Sequence, residues 1–204
     1  MLQGAANAAR LIAIVENPDS GLPADAIATL KVLVEALTHL EAEIGVLDAE
    51  IARRAKENET ARWLMTVPGV GPLIATAIAV LAPPSETFRR ARDFAAWLGL
   101  TPRQHSTGGK QRLGATTKMG ERSLRRLLII GANSVIIKRH VHAAAQPGTW
   151  LGEMLKRKPP MLVRVALANK TARIVWAFAI VLEPMAPNGS LARGGVYQSP
   201  TAVA

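Results

Sequence analysis

The chain has 204 residues, of which 49% are hydrophobic, so it can bury the core of one ordinary domain or two small ones. Its 25 Lys and Arg residues against 15 Asp and Glu give a formal charge of +10, which indicates an acidic partner. The chain has no cysteine, which excludes a disulfide framework, a thiol nucleophile, an iron–sulfur cluster and a cysteine-ligated zinc site.

Residues 24–62 are predicted to form one long helix with the seam of a coiled coil. Asp25 opens a run without glycine or proline as far as Gly45, and a carboxylate favours the first turn of a helix. A narrow apolar stripe of this kind needs a partner helix, either in a second protomer, giving a homodimer or tetramer, or in the same chain. The stripe alternates by three and four positions, at Leu30, Leu33, Leu37, Leu40, Ile44, Leu47 and Ile51.

Residues 64–81 are interpreted as a helix-hairpin-helix element, in which a glycine-rich turn joins the end of one helix to a second helix of small residues. Without side chains, Gly69 and Gly71 would let the backbone N–H groups of the second helix approach a phosphate, where the helix dipole also favours an anion. Such an element binds the nucleic-acid backbone rather than its sequence. The alternative is a tight turn that binds no ligand.

The expected carboxyl-terminal domain, residues 63–182, is predicted to be helical except for one polar stretch. Residues 88–100 and 121–140 fit helices. Between them, residues 101–120 contain four glycines and are predicted to form a loop or a β-hairpin. Residues 183–204 are rich in Pro, Gly and Ser and are expected to be a disordered tail. The predicted fold class is therefore all-α.

The last predicted helix is apolar enough to raise the question of a membrane span. It is interrupted by four charged or polar residues, Arg164, Asn169, Lys170 and Arg173, and a charge at the bilayer centre is costly. The start of the chain is also a poor match to a secretory signal. We therefore expect a cytoplasmic protein with no membrane partner.

The excess positive charge is concentrated between Phe88 and Arg139. This window has twelve basic residues and only two acidic ones, Asp93 and Glu121, whereas the first 62 residues have a net charge of −4. A cationic block of this kind is typical of a protein that binds the phosphate backbone and loses affinity as salt rises. The alternative is a solvated basic surface that serves solubility.

The polar stretch 101–120 also contains a candidate nucleophile. The pair Gly109-Lys110 lacks the preceding glycine and the following Ser or Thr of a phosphate-binding P-loop, and Ser106 lacks the flanking glycines of a hydrolase nucleophile elbow. A serine among Arg103, Lys110 and Arg112 could still attack a phosphodiester while the cations stabilise the charge that develops. A turn residue is the alternative. No cluster of carboxylates for metal ions is visible.

Three segments, in this order, resemble the carboxyl-terminal half of bacterial insertion-sequence transposases of the 110/116/902 family. They are LMTVPGVGPLIATAI, FRRARDFAAWLGLTPRQHSTGGKQRLGATTKMGERSLRRLLIIGA and VALANKTARIVWA. The resemblance implies a Piv-like DNA recombinase with a serine nucleophile, here Ser106. It also implies a separate amino-terminal RuvC-like domain whose Asp-Glu-Asp-Asp centre holds Mg²⁺, and a structured noncoding guide RNA.

The sequence departs from the family pattern in two ways. Lys118-Met119-Gly120-Glu121 stands where Lys-Arg-Gly and then Asn or Asp are usual, so one cation is lost and a larger acid is gained. In addition, no segment matches the metal-binding domain. Residues 1–23 are therefore interpreted as the remnant of a leader, and the chain as a truncated copy that holds no cofactor of its own and binds nucleic acid without recombining it.

Ser106 is thus the candidate catalytic residue, with Thr107 as the alternative position. Asn169, Lys170 and Arg173 share a helical face that is either a further nucleic-acid contact or a solvated stripe. The expected partners are DNA and a guide RNA, and the alternative functions are a noncatalytic nucleic-acid-binding protein and a coiled-coil assembly module. The candidate nucleic-acid contacts are Gly69, Gly71, Arg103, Lys110, Arg112, Lys118, Arg122, Arg125 and Arg126.

Overall fold

The computed structural model describes residues 8–17, 21–105, 109–110, 112–138 and 146–182. These residues are mostly helical, which confirms the predicted all-α class. The chain separates into two compact units, Met1–Glu50 and Ile51–Ala204. None of the helices in the described part of the chain combines the length and the apolar character that a bilayer span requires. The predicted tail, 183–204, lies outside the described residues.

The amino-terminal helices are α1 (Ala8–Glu16) and α2 (Ala24–Glu57). Asp25 lies in the first turn of α2, as the sequence predicts. The apolar seam of α2 is exposed to solvent over most of its length: Leu33 and Leu40 have 60% and 57% of their surface accessible. The coiled coil itself therefore remains a prediction.

The helix predicted over 24–62 is in fact two helices, because Asn58 ends one and begins the next. Asn58 has an extended backbone, and its Oδ1 accepts a hydrogen bond from the Ala61 N–H at 2.8 Å. A side chain that satisfies a free N–H group at the start of a new helix competes with continuation of the old one. The second helix, α3, runs over Glu59–Leu64.

A glycine-rich turn joins α3 to α4 (Pro72–Leu81). The helix-hairpin-helix assignment of residues 64–81 remains a prediction. Gly69 has a φ of +86°, a conformation that side chains disfavour. Gly71 precedes the helix with an extended backbone, and Pro72 occupies the first helical position, where no N–H is needed. Whether this turn binds a phosphate remains a prediction.

The core of the second unit forms where α8 (Pro160–Leu182) packs against α5 (Ala91–Trp97) and α6 (Arg122–Ile137). A short 3₁₀ turn, Ser85–Thr87, is held to α8 because Trp176 Nε1 donates to the Ser85 carbonyl at 3.2 Å. The remaining helix, α7 (Trp150–Arg157), covers a smaller apolar cluster. The largest fully buried side chains are Leu64, Leu98, Leu124, Leu128, Val135, Val163 and Val175.

The turn before α4 brings its backbone directly against the backbone of α6. A Cβ atom added to Gly131 of α6 would lie 2.1 Å from the Gly69 carbonyl oxygen, and one added to Gly69 would lie 2.8 Å from the Gly131 carbonyl oxygen. Such distances leave no space for a methyl group. Glycine is therefore required at both positions for α6 to pack against this turn.

A two-stranded antiparallel hairpin, β1 (Pro102–Gln104) and β2 (Leu113–Thr116), interrupts the helices at the polar stretch. This is the second of the two alternatives that the sequence left open for residues 101–120. Pro102 pairs with Thr116 and Gln104 with Leu113, with an irregularity between the two pairs. Both strands are largely exposed, so the hairpin is an appendage of the helical core.

Candidate nucleic-acid interface

The hairpin presents three of the predicted cations to solvent. Arg103 lies on β1, and Lys110 and Arg112 lie in the connection between the strands; all three are exposed. The pairing continues beyond β1, since the His105 N–H donates to the Arg112 carbonyl at 2.8 Å. The two strands are thus hydrogen-bonded as far as His105 and Arg112, and the side chains of Lys110 and Arg112 are exposed to solvent.

The predicted nucleophile falls within this connection, but Ser106 and the alternative Thr107 lie outside the described residues. The neighbouring His105 is described, and its ring lies against Gly114 on the facing strand. A Cβ atom at Gly114 would be 2.9 Å from both Cδ2 and Nε2 of His105. The absence of a side chain at position 114 therefore allows the imidazole to cross the hairpin.

The base of the hairpin is joined to the helical core by a tight backbone contact. Gly120 has a φ of +83°, and a Cβ atom there would fall 1.7 Å from the Trp97 carbonyl oxygen at the end of α5. Lys118 also has a positive φ, 55°, which is uncommon for a residue with a side chain, and its N–H donates to the Gly99 carbonyl at 3.2 Å. These contacts direct the chain from β2 into α6.

Arg125 strengthens the same junction with its side chain. Its Nη1 atom donates to the Leu98 carbonyl at 3.0 Å and to the Met119 carbonyl at 3.2 Å. The guanidinium is partly buried and links the end of α5 to the segment that precedes α6. The sequence placed Arg125 with the nucleic-acid contacts, and the structure gives its side chain a structural task as well.

Arg122 and Arg126 differ from Arg125 in that both are exposed. In the described part of the chain, none of the cations between Phe88 and Lys138 forms an ion pair. Of the two acids in this region, Glu121 is engaged as the amino-terminal cap of α6, where its Oε1 accepts from the Ser123 N–H at 2.9 Å. The charge of the hairpin and of the first turns of α6 is therefore left largely uncompensated.

The two glycines that the sequence predicts to contact nucleic acid, Gly69 and Gly71, have different surroundings. Gly69 is packed against α6, whereas a Cβ atom at Gly71 would meet nothing within 4 Å. Gly131, which contacts Gly69, and Arg125, which holds the hairpin base, are six residues apart on α6, about 9 Å along the axis. One helix thus supports both the glycine-rich turn and the hairpin.

The described residues offer no group of three or more His, Asp or Glu side chains placed to hold a metal ion. The acidic side chains Asp93 and Glu121 do not form such a group, so a Mg²⁺ site of the kind that the resemblance implies does not fit these residues.

Part of this chain is similar to a known protein family. Residues 61–146, which extend from α3 beyond α6, match the model of the family described as transposase IS116/IS110/IS902. These residues are similar to the transposase domain of that family, and they contain two of the three sequence segments that carry the resemblance.

Three relatives illustrate the similarity. A probable family 20 transposase of Pseudomonas aeruginosa is 43% identical over 173 residues, 85% of this chain and 51% of the relative. A putative transposase of Sinorhizobium fredii, y4pF/y4sB, is 42% identical over 67% of this chain and 35% of the relative. The transposase for insertion sequence element IS1328 of Yersinia enterocolitica is 37% identical over 71% of this chain and 45% of the relative. The chain thus spans about half or less of the length of these relatives.

The neighbouring residues Arg125 and Arg126 provide a direct test of the two roles of basic side chains. We expect Arg125→Gln to lower the free energy of unfolding by about 1–3 kcal/mol, because two charge-assisted hydrogen bonds to carbonyl oxygens are removed. Arg126→Gln removes the same charge from an exposed position and should change that free energy by less than about 0.5 kcal/mol. Urea denaturation followed by circular dichroism measures both values; equal effects would contradict the structural role of Arg125.

Proposed function

We propose that this chain is the nucleic-acid-binding and nucleophile-bearing part of a DNA transposase. Its relatives are named transposases, and its residues 61–146 match the transposase domain of the family. The observation that carries the proposal is the set of exposed cations on the hairpin and on the first turns of α6, unpaired with any described carboxylate. Such a surface attracts phosphate oxygens and releases counterions when it binds them.

The base of the hairpin is joined to the start of α6 by hydrogen bonds and close backbone contacts, which suits a surface that must fit a duplex. Arg125, Gly120 and the end of α5 hold the hairpin base, so Arg112 on the hairpin and Arg122 on α6 are presented by a fixed framework. Phosphate contacts made by side chains on such a framework fix the orientation of the nucleic acid. A guide RNA, the second partner that the resemblance implies, would bind through the same phosphate chemistry.

We expect the chain to bind duplex DNA with an affinity that falls steeply as salt rises. The triple variant Arg112→Gln, Arg122→Gln, Arg126→Gln should reduce the slope of log affinity against log salt by about three, close to one for each phosphate that is no longer neutralised. Fluorescence anisotropy with a labelled duplex measures the slope, and Arg62→Gln, which removes an exposed cation of α3, is the single-site control. A salt-independent affinity would refute the proposal and favour the assembly module.

For the chemistry, we propose Ser106 as the nucleophile. Its hydroxyl oxygen would form a bond to phosphorus and release its proton, the ester bond from that phosphorus to the adjoining sugar oxygen would break, and the departing oxygen would take up one proton in turn. Arg103, Lys110 and Arg112, on the strand and connection around Ser106, would stabilise the charge on the phosphate oxygens during this step. The proposal rests on the family resemblance and on these neighbouring cations.

A covalent adduct between protein and DNA is the expected product of this step. With the metal-binding domain supplied as a separate chain together with Mg²⁺, the wild-type chain should yield an adduct that resists denaturing electrophoresis, and Ser106→Ala should abolish it. Thr107→Ala is the matched control and should retain it. The reverse pattern would assign the reaction to Thr107. An adduct that persists in both variants would remove this connection from the chemistry.

We also propose that the exposed seam of α2 pairs with the same seam of a second copy of the chain. Leu33, Leu40 and Ile44 are largely exposed at coiled-coil spacing, and burying such side chains is the main gain when two helices associate. A homodimer, or a tetramer built from two such pairs, would result.

Sedimentation analysis tests this pairing. Leu40→Ala combined with Ile44→Ala should weaken self-association at least tenfold, since four large side chains leave the interface of a dimer. Val32→Ala combined with Val46→Ala removes equally exposed side chains that lie off the seam and should leave the association constant within about twofold. If both double variants behave alike, the seam does not form the interface.

A further inference from the structure

An open groove of about 1210 Å³ runs along α8 on the side that faces the hairpin. One wall is the face of β2 around Leu113, Gly114 and Ala115. The opposite side is α8, from Met161 to Ala177, and Trp150 at the start of α7 lies at its border. The groove therefore lies beside the hairpin that carries the proposed nucleic-acid contacts, within the same compact unit.

The surface of the groove is largely apolar and is open to solvent. Leu113, Met161 and Leu162 have 59%, 61% and 50% of their surfaces accessible. Contiguous apolar surface that a protein leaves in water usually marks a place where something binds. Gly114 and Ala115 of β2 contribute no large side chain to this wall.

The charged side chains that line the groove are both cations, Lys170 and Arg173. Both are exposed, and no carboxylate is among the described lining residues. Lys170 Nζ lies 4.4 Å from the centre of the Trp150 ring, a cation–π distance. Asn169 fixes α8 beside the start of the hairpin, because its Nδ2 donates to the Leu100 carbonyl at 3.2 Å.

We propose that this groove binds an unpaired segment of a DNA strand, with bases against its apolar surface and Trp150 and with phosphates near Lys170 and Arg173. This inference rests on the proposed function and deepens it by naming the form of the substrate. A duplex turns its phosphates outward and keeps its base faces stacked, so an apolar groove offers it little. Unpaired bases expose flat apolar faces, and proteins bind them by combining such surfaces and aromatic rings with cations along the backbone.

The charge and the position of the groove favour an unpaired DNA strand over a protein helix as its ligand. Both cations complement a polyanion, and the groove is continuous with the hairpin that we propose to bind the DNA backbone. A strand that leaves the duplex at the hairpin would therefore find apolar and cationic surface directly beside it.

The test compares a single-stranded and a duplex oligonucleotide of the same length in anisotropy titrations of the full chain. Trp150→Leu keeps the site apolar but removes the ring, and we expect it to weaken single-strand binding about tenfold or more and duplex binding less than twofold. Lys170→Gln combined with Arg173→Gln should reduce the salt slope for the single strand by about 1.4. Lys158→Gln is the control, since Lys158 is exposed and does not line the groove.

Several results would overturn this inference while leaving the proposed function intact. Groove variants that bind the single strand as tightly as Lys158→Gln does would exclude the groove. Equal losses of affinity for the single strand and for the duplex would indicate that the substitutions act only through nonspecific electrostatic attraction. A change in sedimentation without a change in DNA binding would assign the groove to a protein contact, and a loss seen only with a single-stranded RNA of equal length would assign it to RNA. The proposed function fails separately, if the wild-type chain does not bind the duplex.

Discussion

The described geometry of the proposed interface depends on how an exposed hairpin is attached to a helical core. The two strands bury almost nothing themselves, so their position is determined at their base. There, Gly120 lies directly against the Trp97 carbonyl, and Arg125 donates to the Leu98 and Met119 carbonyls. These contacts are made to backbone atoms, which cannot rearrange as side chains do. The junction therefore relates the hairpin cations to those at the start of α6.

The helix α6 serves as the support of the whole region. Near its start it carries Arg122 and Arg126 into solvent and directs Arg125 inward, and two turns later Gly131 admits the backbone of the glycine-rich turn. Its apolar side, including Leu124 and Leu128, is buried. The same helix thus provides core packing, a junction for the hairpin and cationic surface, because residues three or four apart share a face and adjacent residues do not.

The distribution of charge agrees with separate roles for two parts of the chain, one in protein association and one in nucleic-acid binding. The first 62 residues are net acidic and contain the apolar seam, and the cations are concentrated in the matched domain. An acidic surface on α2 would be repelled by nucleic acid, which leaves its seam available for a protein partner. The groove beside β2 adds apolar surface to the cationic region, and this combination is what distinguishes a surface for unpaired strands from one for duplexes alone.

The all-α class, the glycine-rich turn between two helices and the concentration of cations could be predicted from the sequence alone, because periodicity, glycine positions and charge are local properties. The sequence did not reveal that Asn58 divides the long helix, since a cap competes with helix continuation only when its side chain meets a free N–H group. It also could not separate Arg125 from Arg126, which are identical neighbours whose roles differ because one faces the end of α5. Likewise, the sequence placed Lys170 and Arg173 on one helical face as a candidate nucleic-acid contact, but it did not relate them to Trp150 or to the hairpin. Tertiary packing placed them on one groove with Leu113, because contacts between residues distant in sequence depend on how the helices pack rather than on any local pattern.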